Sequence, residues 1–577
     1  GRVGRAACVW ELGMNKVVVS FVALLAAASI VHPTLAQPAA NLTTSRIVIA
    51  PAQSPMARAI KEGLSTAYAS ARSGTAAYEE VQRLYFLYGE RSFEPIWLSQ
   101  TASGQITFSP AAEKIVALFR DAEAEGLRPQ DYLTPELDLA RVGGDVVAMA
   151  TLETAFTSAT TRYAHHIHNG RINPQSISAN LDIKAKPIDE AALLERLARS
   201  ADPAAVLNEL SPKHPEFLAL KSALASFNTS ADRPTPIAGG PTLRPGNADP
   251  RVHTIRERLQ VASLGSDIYD DITFQAVKSF QASQGLDVDG VIGPATISAL
   301  NGGAEIRRQD IIANMERWRW MPSDLGAFNV LVNIPEFRLA IQRNGQEEFS
   351  TRVVVGTFKN QTPVFSDNIR HLVVNPYWNV PNGILKSEVA PAVLRDPGYT
   401  DARNMDLLYQ GNVISPWQVN WDTVSPSNFP FSVRQRPGPS NSLGQIKFLF
   451  PNKHDVYLHD TPSKNLFSRN SRAFSHGCVR VEDPFAFADA LMANEANISR
   501  SSLEAMFGPT ERWVNPSRQI PVHLAYFTVR VDGAGAMKNY SDVYGHHEAL
   551  IAAMGLGPEP VPPAIVADTS IPGELAP

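Results

Sequence analysis

The stretch YLHDTPSKNLFSRNSRAFSHGCVRVEDP, residues 457–484, brings together Cys478, His459, His476, Arg472 and Arg480. The 577-residue chain has only one other cysteine, Cys8. The thiolate is the nucleophile, and a free thiol with a pKa of about 8.5 is mostly protonated at neutral pH. A neighbouring imidazole can take that proton and stabilise the anion. Two are within reach: His476, two residues before the cysteine, and His459, nineteen before (478 − 459 = 19), at the end of the predicted strand DVYLHD. Nineteen residues can leave a strand, loop and return beside it, so His459 can face Cys478 across a sheet. Gly477 lets the backbone approach a substrate closely, and the N–H groups of Gly477 and Cys478 could meet a developing oxyanion. Arg472 and Arg480 could hold a carboxylate by paired hydrogen bonds.

The chain around this stretch is too long for one core. Its composition, 44% hydrophobic and 19% charged with mean hydropathy −0.13, is that of a globular protein. A net charge of −5 and pI of about 6.3 give no global basic field that would point to nucleic acid. Met14-Asn15-Lys16, the apolar run Val17–Val31 and the small-residue spacing before Ala36 read as a secretory signal. Fifteen apolar residues are short of the about 20 that span a bilayer. Residues 1–13 read as a misplaced start or as an artificial addition before Met14. Cleavage would remove Cys8 and leave Cys478 without a partner thiol, in a compartment where disulfides form.

Residues 37–75, rich in Ala, Ser, Thr and Pro, read as a flexible lead. From 76 to 230 the apolar spacing is helical, as in Val81, Leu84, Tyr85 and Tyr88, and in Ile115, Leu118 and Phe119. His165, His166 and His168 in HHIH point to different faces with no carboxylate or cysteine at ligand spacing, so no metal site is assigned. A Pro/Gly linker covers 231–249, and three short helices follow in 250–302. Between 305 and 540 the runs FNVLVNI, FRLAIQR, TRVVVGT, RHLVVNP, GQIKFLF and VHLAYFTVRVD predict strands of a sandwich or barrel. About 383–440 is an insertion with weak strand character, as a lid would be. Residues 541–577 are taken as a C-terminal tail, Pro-rich from about 555.

Two resemblances sit on this frame. FQASQGLDVDGVIGPAT resembles the three-helix peptidoglycan-binding module, through Phe280, Gln281, Gly285, Leu286, Asp289, Gly290, Gly293 and Thr296. HDT…SHGCVR resembles the signature of the L,D-transpeptidase (YkuD-type) catalytic domain. TPVF, NPYWNVP, RPGPSNSLGQIKF, the helical leader and the insertion resemble its large Gram-negative, YcbB-like subgroup, which has a scaffold domain and a capping subdomain.

The resemblance implies a multidomain α+β architecture. An all-helical N-terminal scaffold and the small three-helix module precede a mostly-β, sandwich-like catalytic domain with a capping insertion. It implies Cys478 as nucleophile, His459 as general base, and Ser475, His476 and Gly477 as the shaping and oxyanion loop. Tyr457, Asp460, Arg472 and Arg480 form the expected substrate-binding set. Geometry favours the same base. His476 and Cys478 would lie about 7 Å apart, two strand rises. A residue opposite on the next strand lies about 4.5–5.5 Å away. The Asp460 carbonyl could fix the His459 tautomer.

The implied reaction is attack on the diaminopimelate–D-Ala bond of a tetrapeptide stem, a thioester, and transfer of the acyl group to an amine of a second stem. No cofactor, metal or ATP is implied. The expected partners are peptidoglycan stem peptides and glycan strands, not nucleic acid. The expected form is a monomer in the periplasm, with no stable membrane anchor after signal cleavage, and a carbapenem target. Two other readings are a cell-wall cysteine L,D-carboxypeptidase or endopeptidase and a non-catalytic peptidoglycan-binding protein. Against the first, the common papain-like order places Cys before His, and here the base comes first. The second has no use for a lone thiol, two histidines and a lid together.

Overall fold

The computed structural model describes residues 51–557 except 101–104, 144, 228–236, 239, 263–264, 284–285, 287, 301–305, 494–497 and 533–534. The signal segment, Cys8 and the Pro-rich end from 558 lie outside the described residues.

The N-terminal third is helical because its apolar residues recur at three and four. Ala57, Ile60 and Leu64 on the helix Pro55–Ser70 are buried, and this helix packs on the long helix Val146–Asn169. Ser54 caps it by accepting from the Ala57 N–H, with Pro55 in the first turn. Residues 55–70 are therefore an ordered part of the helical core, not a flexible lead. Their small side chains hide the stripe from a composition-based reading. Trp97, Phe119, Tyr132, Phe156 and Tyr163 centre that core. The region is not purely helical: β1 (Leu98–Gln100) and β2 (Ile106–Phe108) form an antiparallel ladder. The three histidines of HHIH each bond a different group: His165 meets Glu190 at 2.7 Å, His166 the Tyr132 hydroxyl at 2.7 Å and His168 the Leu210 carbonyl at 2.9 Å.

The three-helix unit (Arg251–Arg258, Asp271–Ser283 and Pro294–Leu300) has its own core of Val252, Ile255, Val277, Ile297 and Leu300. Ile237 and Leu243, expected in the linker, are buried in it, and Leu243 bridges Ile292.

The strands that follow are β3 (Phe328–Asn333), β4 (Arg338–Arg343), β5 (Gln346–Gly356), β6 (Phe365–Ile369), β7 (His371–Val374), β8 (Trp378–Asn379), β9 (Met405–Tyr409), β10 (Asn412–Ile414), β11 (Ser432–Gln435), β12 (Ile446–Leu449), β13 (Leu458–His459), β14 (Ala473–Ser475), β15 (Val479–Val481), β16 (Arg512–Val514) and β17 (Ile520–Ala525). One sheet runs β16-β7-β12-β13-β15-β5-β4-β3-β17-β6, with β14 added on β5. Only Arg370 separates β6 from β7, yet β6 is one edge strand and β7 lies next to the other edge. The sheet must therefore curl on itself, which gives the β-rich domain a buried interior.

The helix Arg308–Trp320 is buried from Asp310 to Trp320 and joins this sheet to the helical region. Arg319 Nη2 donates to the Glu125 carbonyl at 2.6 Å, and Lys186 Nζ donates to the Arg319 carbonyl at 2.6 Å. Leu181, Phe217, Leu220 and Leu224 of the helical region lie in the same apolar cluster as Val330, Val364, Leu458 and Val479. The last part of the helical region thus shares the core of the sheet, while its earlier helices keep their own. The chain end also contributes: the helix His546–Ala553 buries Leu550 and Ile551 there, and His547 Nε2 meets Asp310 at 2.9 Å. A tail from 541 is thus overturned as far as residue 557.

The insertion folds rather than loops. Strands β10-β9-β11-β8 form a separate sheet, flanked by a π-helical turn Leu385–Val389 and a helix Ala390–Arg395. Trp378, Leu385, Val389, Val393, Met405, Leu407 and Val433 fill its own core. Short strands interrupted by polar turns gave little periodicity to read.

Candidate active site

The site is built on the parallel pair β13–β15. Its register sets Leu458 opposite Val479 and His459 opposite Arg480. Tyr457 therefore falls opposite Cys478, with its carbonyl accepting from the Val479 N–H at 3.1 Å. His459 is a diagonal neighbour of the thiol, not the directly facing residue that was expected. Diagonal partners are about 7–8 Å apart, within reach of long or aromatic side chains only. Tyr457 and His459 pack edge to face at 5.7 Å between ring centres.

His459 is fully buried. Its Nδ1 donates to the Asp460 carbonyl at 2.5 Å, which fixes the tautomer and leaves the lone pair on Nε2. Nε2 is buried with no hydrogen-bond partner among the described residues. Burial, and then the Arg480 charge, hold the imidazole neutral, with its pKa pushed down to about 3. Cys478 is partly exposed. Burial pushes its thiol up to about 11, against opposing pulls from Tyr457 and the Arg480 charge. The resting pair is therefore thiol and imidazole, not thiolate and imidazolium. The thiol donates to the Asp455 carbonyl at 3.8 Å.

The loop before Cys478 is held by Ser475. Its buried hydroxyl donates to the Cys478 carbonyl at 2.5 Å and accepts from the Gly477 N–H at 3.1 Å. The Gly477 N–H is thus occupied, where an N–H free to meet an oxyanion was expected. Gly477 sits at φ +117, which side chains rarely adopt. Its carbonyl accepts from the Thr362 hydroxyl at 2.8 Å. Ser475→Ala strips two buried partners at about 1–3 kcal/mol for each group left unsatisfied. It is expected to slow acylation of Cys478 by about 10–100-fold through sub-ångström misplacement, with recovery in Ser475→Thr. Intact-mass measurement of the adduct over time checks this.

Three residues of the expected substrate-binding set do other work. Arg472 spends its guanidinium on the carbonyls of Val353, Arg469 and Phe337 at 3.3, 2.8 and 3.2 Å. Asp460 accepts from the Gln445 N–H at 2.9 Å and Lys464 Nζ at 2.8 Å, and is 7% exposed. Arg480 is 2% exposed, so a substrate carboxylate has no open path to it here. Its charge acts on Cys478 and His459 instead. Tyr457, the fourth, is half-buried at the seam between the main core and the core of the insertion.

The insertion touches the site directly. Glu388, on its π-helical turn, meets His476 Nε2 at 2.9 Å. Both side chains are about one-quarter to one-third exposed, so the pair is worth under about 1 kcal/mol. Glu388→Ala is expected to leave the melting temperature nearly unchanged while speeding tryptic cleavage after the exposed Lys386. Limited proteolysis checks it; an unchanged cleavage rate would mean the pair does not hold the insertion closed. Glu388, Thr362 and Asp455 were not singled out from the sequence. Thr362 lies in the quoted TPVF, but nothing in a lone Glu or Asp marks the other two.

Comparisons with known proteins follow the same division of the chain. Residues 328–499 match the L,D-transpeptidase catalytic domain family YkuD, residues 82–224 a scaffold domain family, and residues 248–300 a peptidoglycan binding domain family. A protein of Haemophilus influenzae named for L,D-transpeptidase activity is 35% identical over 244 residues. The match spans 42% of this chain and about half, 49%, of that relative. Among solved structures, an L,D-transpeptidase from Stackebrandtia nassauensis is 13% identical over 49% of this chain and 94% of its own, with a TM-score of 0.19. One from Mycobacterium smegmatis is 12% identical over 34% of this chain and 58% of its own, with a TM-score of 0.18. Superpositions that poor carry no argument; the family matches and the site geometry do. The chain carries an L,D-transpeptidase catalytic domain of the YkuD family, joined to a scaffold domain and a peptidoglycan-binding domain.

Proposed function

We propose that the protein is a peptidoglycan L,D-transpeptidase that uses Cys478 as nucleophile and His459 as general base. The observation that carries this is the thiol just before β15, on the strand next to a buried neutral imidazole whose Nδ1 is held by the Asp460 carbonyl, which leaves Nε2 without a partner among the described residues. As Sγ attacks the carbonyl between diaminopimelate and the terminal D-Ala, its proton passes to His459 Nε2. The C–N bond then breaks, His459 returns the proton to the leaving amine, and a thioester remains. An amine of a second stem attacks that thioester, gives its proton to His459, and the thiol is regenerated. Bond energy is conserved through the thioester, so no nucleotide is consumed. Arg480 favours the sulfur anion as it forms, and the Cys478 N–H is the loop's remaining candidate donor to the oxyanion. The module at 248–300 would hold the glycan mesh near the site, in the periplasm after export.

The test is incubation of the purified protein with disaccharide tetrapeptide, followed by separation and mass analysis of the products. Dimers joined third residue to third residue, and lost in Cys478→Ala, support transfer. Tripeptide alone would replace transfer by hydrolysis. A carbapenem adduct that fails to map to Cys478 would remove the assigned nucleophile.

A further inference from the structure

Residues 180–182 lie within the scaffold match, yet they reach both loops that flank Cys478. Leu181 makes a parallel bridge to Val364. The Val364 N–H donates to the Asn180 carbonyl at 2.7 Å, and the Asp182 N–H to the Val364 carbonyl at 3.0 Å. Asn180 Nδ2 donates to Gln361 Oε1 at 3.0 Å. These bonds hold the loop whose Thr362 hydroxyl grips the Gly477 carbonyl and also accepts from the Gly356 N–H at 2.9 Å. On the other side, the Asp182 carboxylate accepts from Lys453 Nζ at 2.8 Å and meets His454 Nε2 at 2.9 Å. The next residue, Asp455, has φ +54 and offers its carbonyl to the thiol. A non-glycine residue in that region costs about 1–3 kcal/mol and persists only where its surroundings over-determine it. Asn452 holds this turn locally, its side chain accepting from the His454 N–H at 3.0 Å and donating to the Phe450 and Val456 carbonyls at 2.6 and 2.7 Å, and Asp182, 13% exposed, adds a restraint from outside the catalytic domain.

We propose that Asn180-Leu181-Asp182 is a clamp through which the scaffold domain sets the reactivity of Cys478, with Asp182 as its positioning residue. The clamp acts on the two walls of the nucleophile and touches no substrate. The proposal rests on Cys478 being the nucleophile, but its first readout does not.

The experiment uses the full chain and compares Asp182→Ala, Asp182→Asn and Glu216→Gln. Glu216 bonds Arg530 across the same shared core but approaches neither loop, so its loss tests general loosening. The first measurement is the pH profile of Cys478 alkylation by iodoacetamide. With the Asp455 turn released, the thiol should be less buried and its apparent pKa lower. Alkylation near pH 7.5 should rise by about tenfold, one pKa unit. Carbapenem acylation, which needs the aligned loop, should fall by about tenfold or more. Asp182→Asn should recover part of both, and Glu216→Gln should lower the melting temperature while leaving both rates at wild type. Wild-type alkylation profiles in both Asp182 variants would overturn the clamp. So would equal changes in Glu216→Gln. If the wild-type protein takes no carbapenem, the reading of Cys478 as nucleophile fails, and the alkylation profile still decides the clamp.

Discussion

His459→Ala should slow acylation of Cys478 by about two to four orders of magnitude near neutral pH, the scale of a lost general base. The effect should depend on pH in a particular way. His459 is held neutral down to about pH 3, so in the wild type its Nε2 can accept a proton at every working pH. The thiol sits at about 11, so almost no thiolate exists at neutral pH without that acceptor. In the variant, only pre-formed thiolate reacts, and its fraction climbs about tenfold per pH unit below the thiol pKa. The gap between variant and wild type should therefore narrow as pH rises from 7 to 10. A gap that stays constant would mean that His459 acts by packing under Tyr457 and Cys478 rather than by taking a proton. Loss of an imidazolium is not involved, since burial and Arg480 oppose that form at rest. A large rise in thiol pKa on removing His459 would contradict that assignment, since it would mean an imidazolium had been stabilising the thiolate.

The pairing of cysteine and histidine was legible because the chemistry demands both residue types, and nineteen residues suffice to bring one strand back beside another. The register was not. A loop of that length can return in several registers, and the observed one sets Tyr457, not His459, opposite the thiol. The arginines misled for a related reason. A guanidinium near a nucleophile suits a substrate carboxylate, but Arg472 is taken by three carbonyls and Arg480 is buried, and sequence shows residue type without showing what is already engaged or covered. Strands with alternating apolar residues were readable as strands. Their curling into one sheet follows from β6 and β7 being neighbours in sequence and near opposite edges in space, a long-range fact. The segment around Asn180 and Asp182 has no periodicity and no motif. Its contacts lie about 180 and 270 residues away in sequence, at Gln361 and at Lys453 and His454.

Gly444→Ala should disable the site from a position that carries no chemistry. Gly444 has φ +60, and its N–H closes a turn on the Asn441 carbonyl at 2.8 Å. A Cβ there would lie 2.2 Å from Asp460 Oδ2, 2.3 Å from its Cγ and 2.5 Å from its Cβ. Rotating the carboxylate away cannot relieve a clash that reaches Cβ, so the Asp460 backbone must shift. The carbonyl of that residue holds His459 Nδ1 at 2.5 Å. The left-handed conformation alone costs an alanine about 1–2 kcal/mol, and displacing Asp460 adds to that. Acylation should fall by about a hundredfold, as a misplacement of about 1 Å can cause. Asp460→Asn separates carboxylate from carbonyl. It keeps the backbone and should cost acylation only a few-fold, since the carboxylate serves Gln445 and Lys464 rather than His459. The double variant Gly444→Ala/Asp460→Gly removes the clashing Cβ while keeping the carbonyl, and should recover much of the lost rate. Acylation at the wild-type rate in Gly444→Ala, or a loss in Asp460→Asn as deep as in Gly444→Ala, would show that the Asp460 backbone does not orient the base.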